Sequence, residues 1–444
     1  MPTETLMMKD SGIDCIAEIP ENWDISRIKY DATFYNGDRS EEYPSGNDII
    51  DEGIPFVNSE NIHGTFLDVS SCKCITNEKY KRLGGAKLKI NDIVFCLRGS
   101  VGNCSINKSI NEGTVASSLV AIRANNINPD FLNYYLNSDS TVFQTSLFQN
   151  GSCAANLSAE KVSNYYICTP ILKEQQAIVN FLDEKCVKID KVIGEIEEQI
   201  QVLEDYKKSL ITETVTKGLD KNVPMKNSGI DWIGQIPKDW NIKRIKYFTN
   251  LNGRIGWQGL TTEDYQDEGP FLITGVDFLN GSIDWSSCTH ITEKRWIEAN
   301  TIQIKNDDLL ITKDGTVGKV AVVSGLNDKA SLNSGVLLIR PQGNVEYYNR
   351  YIYYQLISDV FWSWFEFNKS GNSTIIHLYQ QDFANLYTLL PNITEQKQIA
   401  DYLDKECKKI DKTISDKKEQ LETIKEYKKS LIYEYVTGKK RVAC

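Results

Sequence analysis

Residues 205–216 read DYKKSLITETVT, and residues 426–437 read EYKKSLIYEYVT. This near-copy belongs to a longer repeat, because residues 170–216 and 391–437 share 23 identities in 47 aligned positions. A stretch of this kind normally occurs once in a domain. The repeat therefore predicts two related halves within one chain.

Sequence identity between the two halves is high in some segments and low in others, and this distribution bears on the function. Residues 8–30 and 225–247 share 15 identities in 23 aligned positions, whereas the segments between the repeated parts match only at short landmarks. The repeated segments are called the frame below. An enzyme with a duplicated active site should keep its catalytic residues in both copies and vary the frame. Divergent inserts in a repeated frame instead favour two recognition modules with different targets.

Length and composition set the outer limits. A chain of 444 residues exceeds one ordinary core, so two or more domains are expected. No apolar run approaches the roughly 18 residues of a membrane span, and the first residues lack the features of a secretion signal. We therefore expect a cytoplasmic protein. The 11 cysteines are scattered and the 3 histidines lie far apart, which predicts reduced thiols and disfavours a zinc site.

The net charge of -10 argues against a uniformly basic nucleic-acid binder. A basic face segregated from the acidic residues stays possible on this composition. Nucleic-acid binding is therefore a question of local clusters of cations.

Apolar residues recur along both repeats at alternating spacings of four and three, the a/d pattern of a coiled coil. Each helix is predicted to run about 45 residues, or roughly 65 Å. The seam positions are Leu182, Ile189, Ile193, Ile196, Ile200 and Leu203 in the first copy and Leu403, Ile410, Ile414, Leu421 and Ile424 in the second. Lys207 and Lys417 interrupt the pattern. Neither helix can bury this stripe alone, so we predict that the two pack together; the alternative is that each packs on its own domain.

Between the frames the pattern predicts short mixed elements. IVFCL (93–97) and VASSLVAIRA (115–124) are typical of strands. A helix near 130–148 is matched by one near 346–366.

Further sequence features resemble a known family. They are VTKGLDKNVPMKNSGIDWIGQIPKDW (215–240), inserts that end in YYICTP and YTLLP, and EQ followed by IxxxLDxxxxKID after each insert. These motifs occur twice, in the same order, over nearly the whole chain. In this the chain resembles the specificity subunit of type I restriction-modification systems.

The resemblance implies a mixed α/β (α+β) fold: two globular target recognition domains, joined and separated by two long helices that form an antiparallel coiled coil, in a pseudo-two-fold internal repeat. The expected boundaries are 1–168 for the first recognition domain (frame segment 8–30), 169–222 for the first spacer helix, 223–389 for the second recognition domain (frame segment 225–247) and 390–444 for the second spacer helix.

The resemblance also implies a non-catalytic subunit whose two domains read the two halves of a split double-stranded DNA target. The helices would set the gap and dock two modification subunits, and a restriction subunit would complete the complex. No cofactor is expected on this chain, and S-adenosylmethionine is expected on the modification subunits. No membrane contact is expected.

Two other readings stay open. One is a free-standing DNA-binding or scaffold protein that shares the frame but has no methyltransferase partner, and the other is an enzyme with an unrecognised site. The sequence lacks the N-P-P-F tetrapeptide of adenine methyltransferases, since NPDF at 128–131 has Asp130 at the second proline position. GTVGK at 315–319 lacks the earlier glycine and the Ser or Thr of a phosphate loop, so a turn is predicted there.

Two glycine loops with cations are candidate DNA contacts, because backbone amides can approach phosphates there and an arginine can bind guanine through two hydrogen bonds. Their candidate residues are Arg98, Gly99, Ser100 and Gly102 in the first copy and Lys313, Gly315, Thr316, Gly318 and Lys319 in the second. The alternative is a structural turn with solvent-facing cations.

Polar loops before the final strand of each insert and one basic run add further candidates. The polar loops supply Asn150, Ser152 and Asn156, and Lys369, Ser370, Asn372, Ser373 and Thr374; the basic run supplies Lys79, Lys81, Arg82, Lys87 and Lys89. Phosphate contact is the predicted role of the run, and a solvated surface is the alternative. Trp23 and Trp240 are predicted to pack in the frame and not to stack on bases.

Overall fold

The computed structural model describes residues 7–148, 157–255, 259–343, 345–368 and 377–442. The chain divides into two compact units. Unit 1 comprises Met1–Glu197 together with Glu419–Cys444, and unit 2 comprises Glu198–Lys418. The C-terminal segment of the chain therefore belongs to the unit that contains its N-terminal part.

Unit 1 mixes short strands with helices. Its strands are β1 (Met8–Asp10), β2 (Glu18–Pro20), β3 (Asp24–Arg27), β4 (Ala32–Asn36), β5 (Ile49–Ile50), β6 (Ile54–Val57), β7 (Lys73–Ile75), β8 (Ile93–Cys96), β9 (Cys104–Ile106), β10 (Thr114–Val115), β11 (Leu119–Ala124) and β12 (Tyr166–Thr169). Its helices are α1 (Ile28–Asp31), α2 (Asn77–Arg82), α3 (Pro129–Leu136), α4 (Asp139–Leu147) and α5 (Ala159–Ser163), followed by the long helix α6 (Leu172–Lys217), which continues into unit 2.

A four-stranded antiparallel sheet in the order β4-β11-β8-β9 forms the centre of unit 1. Side chains alternate across a strand, so β8 contributes to two cores. Ile93 and Phe95 pack on the side that holds α3 and α6, and Val94 and Cys96 pack on the other side. A second sheet, in the order β10-β6-β7-β5, contributes to the latter core.

Unit 2 repeats this plan. Its strands are β13 (Met225–Asn227), β14 (Gln235–Pro237), β15 (Asn241–Arg244), β16 (Thr249–Gly253), β17 (Tyr265–Ile273), β18 (Phe278–Leu279), β19 (Ser282–Ile283), β20 (Thr289–Ile291), β21 (Leu309–Thr312), β22 (Val320–Val322), β23 (Ala330–Leu332), β24 (Val336–Pro341) and β25 (Tyr387–Leu390). Its helices are α7 (Glu293–Glu298), α8 (Asn349–Ile357), α9 (Asp359–Asn368) and α10 (Gln380–Phe383), followed by the long helix α11 (Ile393–Val436), which ends in unit 1. The central sheet is β16-β24-β21-β22 and is again antiparallel.

A buried ion pair anchors the central sheet in both units. In unit 1, Arg123 donates from Nε and Nη2 to the two carboxylate oxygens of Asp92, at 2.7 Å each. In unit 2, Arg340 makes the same two-point contact with Asp308. Both carboxylates are buried, so each needs its guanidinium as a counter-charge.

Each unit draws its core from both long helices. The core of unit 1 contains Leu182 of α6 and Leu431 of α11, and the core of unit 2 contains Leu403 of α11 and Val215 of α6. The helices therefore pack on the globular parts as well as on each other.

Within each unit the two long helices run antiparallel. In unit 1, Lys428 contacts Asp190 at 2.6 Å, and in unit 2, Lys207 contacts Asp411 at 2.6 Å. These two ion pairs are equivalent under the repeat. The sequence analysis treated Lys207 as an interruption of the seam, and the structure gives it a partner on the other helix.

The predicted mixed fold with two long helices in an antiparallel coiled coil is confirmed; the helices have 46 and 44 residues. Seven predicted seam residues are buried: Leu182, Ile196, Ile200, Leu403, Ile410, Ile414 and Leu421. Four are half-buried: Ile189, Ile193, Leu203 and Ile424.

The prediction of one helix near 130–148 and one near 346–366 is wrong in detail, because each is two helices. The breaks fall at Ser138, between α3 and α4, and at Ser358, between α8 and α9. Both serines have extended backbones, and each hydroxyl donates at 2.7 Å to the carbonyl oxygen three residues earlier. Such local hydrogen bonds compete with the continuing helix.

The two repeated tryptophans lie in the frame. Trp23 belongs to the core of unit 1 and Trp240 to that of unit 2. Gly438, at φ 76°, lies against Trp23, since a Cβ there would come within 3.0 Å of the indole. Gly218 lies against Trp240 in the same way, with 3.2 Å to the indole. Packing is the role that the structure gives both side chains.

Candidate nucleic-acid interface

The two glycine loops of the sequence are the tips of β-hairpins. One tip joins β8 to β9 and the other joins β21 to β22. Both have the same backbone, with Gly102 N–H donating to the carbonyl of Cys96 at 3.1 Å and Gly318 N–H donating to that of Thr312 at 3.0 Å. At Gly318, φ is 85° and a Cβ would lie 2.7 Å from the Trp362 ring. Glycine is therefore required there for backbone and space.

The side chains on the two tips differ in charge. The strand registers make Arg98 of the first tip equivalent to Asp314 of the second, because Cys96 pairs with Leu119 as Thr312 pairs with Val336. Arg98 is exposed, and its guanidinium has no hydrogen bond or ion pair with any part of the chain that the structure describes. Its two-point donor is not used by any of the described residues, so it suits a ligand that accepts two hydrogen bonds.

Asp314 is a candidate that the sequence analysis missed. Its carboxylate contacts the Nδ1 of His377, and the His377 ring lies 4.5 Å from that of Tyr379. Aligning LRGSVG with KDGTVG would have shown an acidic residue at the position of the arginine. The second tip thus presents a carboxylate and an imidazole where the first presents a guanidinium.

The other tip candidates are placed as follows. Gly99, Ser100, Gly315 and Thr316 are exposed, Lys313 is half-buried, and Lys319 is exposed with its ammonium 3.3 Å from the carbonyl of Gly275. Thr316 also accepts a hydrogen bond, through its carbonyl oxygen, from the hydroxyl of Thr312. The tips thus combine accessible backbone with a few cations.

The polar loops begin or end beside these tips. Leu157 N–H donates to the carbonyl of Leu97 at 3.0 Å, and Leu378 N–H donates to that of Lys313 at 2.9 Å. The candidates of the two loops lie outside the described residues; they are Asn150, Ser152, Asn156, Lys369, Ser370, Asn372, Ser373 and Thr374. Their roles stay predictions.

A loop after β4 carries another exposed arginine besides Arg98, and the sequence analysis missed this one. Arg39 is exposed and donates to the carbonyl of Ser117 at 3.3 Å, and Ser118 next to it accepts from Leu97 N–H at 2.9 Å. Asp38 holds this loop by accepting from the Ser40 and Gly84 amides at 2.6 and 2.7 Å. Hydrogen bonds from Ser40 and then from Gly84 lower the pKa of Asp38. No motif marked Arg39, and the sheet alone places it at this edge.

The basic run at 79–89 divides into two groups. Lys79 is buried, with its ammonium 3.3 Å from Glu42 and 3.2 Å from Asp48, and Lys87 contacts the carbonyl of Tyr80 and lies 3.8 Å from that ring's centroid. Burial lowers the pKa of Lys87.

Lys81, Arg82 and Lys89 are exposed. Of these, Arg82 lies 3.6 Å from Glu42. Three of the five cations are therefore accessible, while Lys79 and Lys87 make contacts within the fold.

NPDF and GTVGK, which were compared with methyltransferase and phosphate-loop motifs, both have structural roles. Asn128 of NPDF caps α3, with its side-chain oxygen accepting from the amides of Asp130 and Phe131 at 2.9 and 3.1 Å. GTVGK is the second hairpin tip. In the described parts of the chain, no group of three or more His, Cys, Asp or Glu side chains could hold a metal ion. None of the helices described is both long and apolar enough to cross a membrane.

The comparison with protein families decides the identity. The family model described as the type I restriction modification DNA specificity domain matches residues 20–202 and again residues 237–423. The chain belongs to this family. Each match includes one hairpin tip, so both units carry the specificity-domain fold. As a specificity subunit, the chain has a non-catalytic role in DNA recognition.

Individual relatives agree over nearly the whole length. A Methanocaldococcus jannaschii protein assigned as the type I restriction enzyme MjaX specificity subunit is 26% identical over 439 residues, covering 96% of each chain. The MjaVIII specificity subunit of the same organism is 24% identical over 451 residues, covering 96% of this chain and 94% of its own. A solved structure, described as the basis of complex assembly and conformational transition of the type I R-M system, is 18% identical with a TM-score of 0.70, covering 94% of this chain and 98% of its own. That structure supports the fold alone.

Proposed function

We propose that each unit of this specificity subunit reads one half of a split double-stranded DNA target. In this proposal, α6 and α11 fix the gap between the halves and dock two modification subunits. S-adenosylmethionine belongs on those subunits, a restriction subunit completes the assembly, and the complex acts in the cytoplasm, where the DNA lies.

One observation carries the proposal: the same hairpin stands on the same sheet in both units, but its tip carries Arg98 in one and Asp314 in the other. Arginine pairs with guanine through the O6 and N7 acceptors, whereas a carboxylate accepts from the amino group of cytosine. A constant scaffold with opposite charges at the reading position suits two different half-targets. A scaffold protein that does not bind DNA has no use for this difference, and a free-standing DNA-binding protein is distinguished by testing binding with and without the modification subunit.

The role of the helices is testable by lengthening both. Four added residues extend a helix by about 6 Å and turn it by about 40° beyond one full rotation. Two base pairs add about 6.8 Å and about 70°. A heptad adds about 10.5 Å but about -20°, whereas three base pairs need about 100°. Four residues therefore match a whole number of base pairs better than seven.

We expect paired four-residue insertions near Ile196 and Lys417 to shift recognition to a gap about two base pairs longer, with both half-motifs unchanged. Lys417 contacts Gln199 at 2.6 Å, so the insertion point in α11 lies beside α6. The assembled complex is assayed for methylation on DNAs whose gap increases one base pair at a time.

A matched control carries the insertion in α6 alone, which throws the seam out of register and should reduce assembly. Continued preference of the paired variant for the original gap would show that the helices do not set the spacing.

A further inference from the structure

A surface cluster outside the hairpin tips occurs identically in both units. The basic-aromatic cluster of unit 1 consists of Arg27, Lys29, Tyr30, Asn164 and Tyr166, and that of unit 2 consists of Arg244, Lys246, Tyr247, Asn385 and Tyr387. The first three members lie at the end of β3 and in α1, or at the end of β15 and just after it. Tyr166 and Tyr387 are the first residues of β12 and β25, and Asn164 and Asn385 lie two residues before them. Strand pairing brings the groups together, because Arg27 pairs with Tyr166 and Arg244 with Tyr387.

In unit 1 a single amide oxygen holds both cations. Arg27 Nη1 donates to Asn164 Oδ1 at 3.1 Å, and Lys29 Nζ donates to the same atom at 2.8 Å. Arg27 Nη2 also donates to the Tyr166 hydroxyl at 2.9 Å. The Lys29 ammonium lies 5.2 Å from the centroid of the Tyr30 ring.

Unit 2 reproduces each of these contacts. Arg244 Nη1 and Lys246 Nζ donate to Asn385 Oδ1 at 3.4 and 2.7 Å. Arg244 Nη2 donates to the Tyr387 hydroxyl at 3.0 Å, and Lys246 lies 5.5 Å from the Tyr247 ring. The agreement extends to the amide, because Asn164 and Asn385 each donate to a carbonyl four residues earlier.

No ion pair among the described residues compensates the charge of these clusters. Since both cations contact one oxygen, they lie within about 6 Å of each other, a distance at which like charges repel. None of the four cations forms an ion pair in the described residues, although exposed lysines elsewhere, such as Lys188 and Lys409, have glutamate partners. A neutral amide and a phenol orient the cations without cancelling them. An anion is the ligand that this arrangement suits.

The lysine and the first tyrosine of each cluster are exposed, so packing does not explain why these two residues are repeated. The exposed fractions are 66% for Tyr30 and 64% for Tyr247, and Lys29 and Lys246 are exposed beside them. Frame residues such as Trp23 repeat because two similar cores need them. Exposed residues that are identical in both units, while the hairpin tips diverge, indicate a ligand that both units share.

We propose that each basic-aromatic cluster binds a phosphate of the DNA backbone and so positions its unit on the duplex. The proposal rests on the proposed function. Bases differ between the two half-targets, but the sugar-phosphate backbone does not, and phosphate contacts fix register without reading sequence. A chain with a net charge of -10 needs such local sites to approach DNA.

The test neutralises the exposed cation of each cluster in the assembled complex, with the variant Lys29→Gln/Lys246→Gln. Binding is measured by fluorescence anisotropy over a series of salt concentrations, on the target found by sequencing the methylated DNA of the source strain and on a scrambled duplex. Each lost phosphate contact removes about 0.9 from the slope of log K against log salt. We expect the slope to fall by about 2 on both DNAs, with the methylated motif unchanged.

The control is Lys188→Gln/Lys409→Gln, which removes the same two charges at positions equivalent under the repeat. It should leave the slope within about 0.5 of the unaltered complex. An unchanged slope in the cluster variant overturns the proposal, and so does loss of the modification subunits at an unchanged slope, which would make the clusters protein-docking surfaces. The unaltered complex tests the proposed function separately, by its preference for target over scrambled DNA, and the slope on scrambled DNA decides about the clusters in either case.

Discussion

The central sheets are alike in the two units, whereas the hairpin tips that they carry are not. Arg123 and Asp92 in unit 1 have the same geometry as Arg340 and Asp308 in unit 2. A few residues away, Arg98 at one tip faces solvent, while its counterpart Asp314 is paired with His377. The arginine–aspartate pair that supports each sheet is the same in both units because a buried carboxylate without its counter-charge would destabilise the fold. The tips can differ because they are exposed.

The strongest test of this comparison breaks the support in one unit at a time. Arg123→Leu leaves the buried carboxylate of Asp92 without its counter-charge, and Arg340→Leu does the same to Asp308. Since both arginines are partly exposed, we expect each substitution to lower the free energy of unfolding by about 3 kcal/mol, the low end for breaking a buried pair. Hydrogen exchange of the β8 and β21 amides measures each unit separately.

The expected result is faster exchange by about 100-fold in the substituted unit and no change in the other. Glu184→Gln, which loses an exposed helix partner, serves as the control and should change neither strand. A difference of more than tenfold between the two arginine variants would contradict the view that the supports are equivalent.

The frame could be predicted from the sequence because its signals are local and doubled. The heptad spacing predicted both long helices, and the repeat predicted two units. The broken helices at Ser138 and Ser358 could not be predicted in this way, because one hydroxyl-to-carbonyl hydrogen bond leaves no trace in apolar periodicity.

The candidate site was harder to predict because exposure depends on distant residues. Lys79 and Lys81 stand two positions apart, yet only Lys79 is buried, against Glu42 and Asp48 from an earlier loop. Arg39 lies beside Ser117 only through the sheet. Nothing in the local sequence encodes these contacts.

The second test sharpens the comparison at the tips. Arg98→Ala should weaken specific binding by about 1–3 kcal/mol, or roughly 5- to 150-fold, because a two-point contact with guanine is lost. The loss should relax specificity at one base pair in one half of the motif. Competition binding of the assembled complex with all single substitutions of the target measures this.

Two variants control the result. Arg98→Lys keeps the charge but loses the planar two-point donor, so it should keep the salt dependence and lose the discrimination. Asp314→Asn should alter only the other half of the motif. Uniform weakening by Arg98→Ala on every sequence would instead mean that Arg98 contacts phosphate and does not read a base.

The smallest expected effect concerns the ion pair between the two long helices, which is the same in each unit. Asp190 and Lys428 have exposed fractions of 53% and 22%, and Asp411 and Lys207 have 54% and 30%. Solvent screens such pairs, so double-mutant cycles of Asp190→Asn with Lys428→Met, and of Asp411→Asn with Lys207→Met, should each give a coupling of about 0.2–1 kcal/mol. Because the exposures match, the two couplings should agree within about 0.3 kcal/mol, and 1 M salt should diminish both. Urea unfolding of the single and double variants measures them. A coupling confined to one unit would show that the coiled coil, unlike the sheets above, is not equivalent in the two halves.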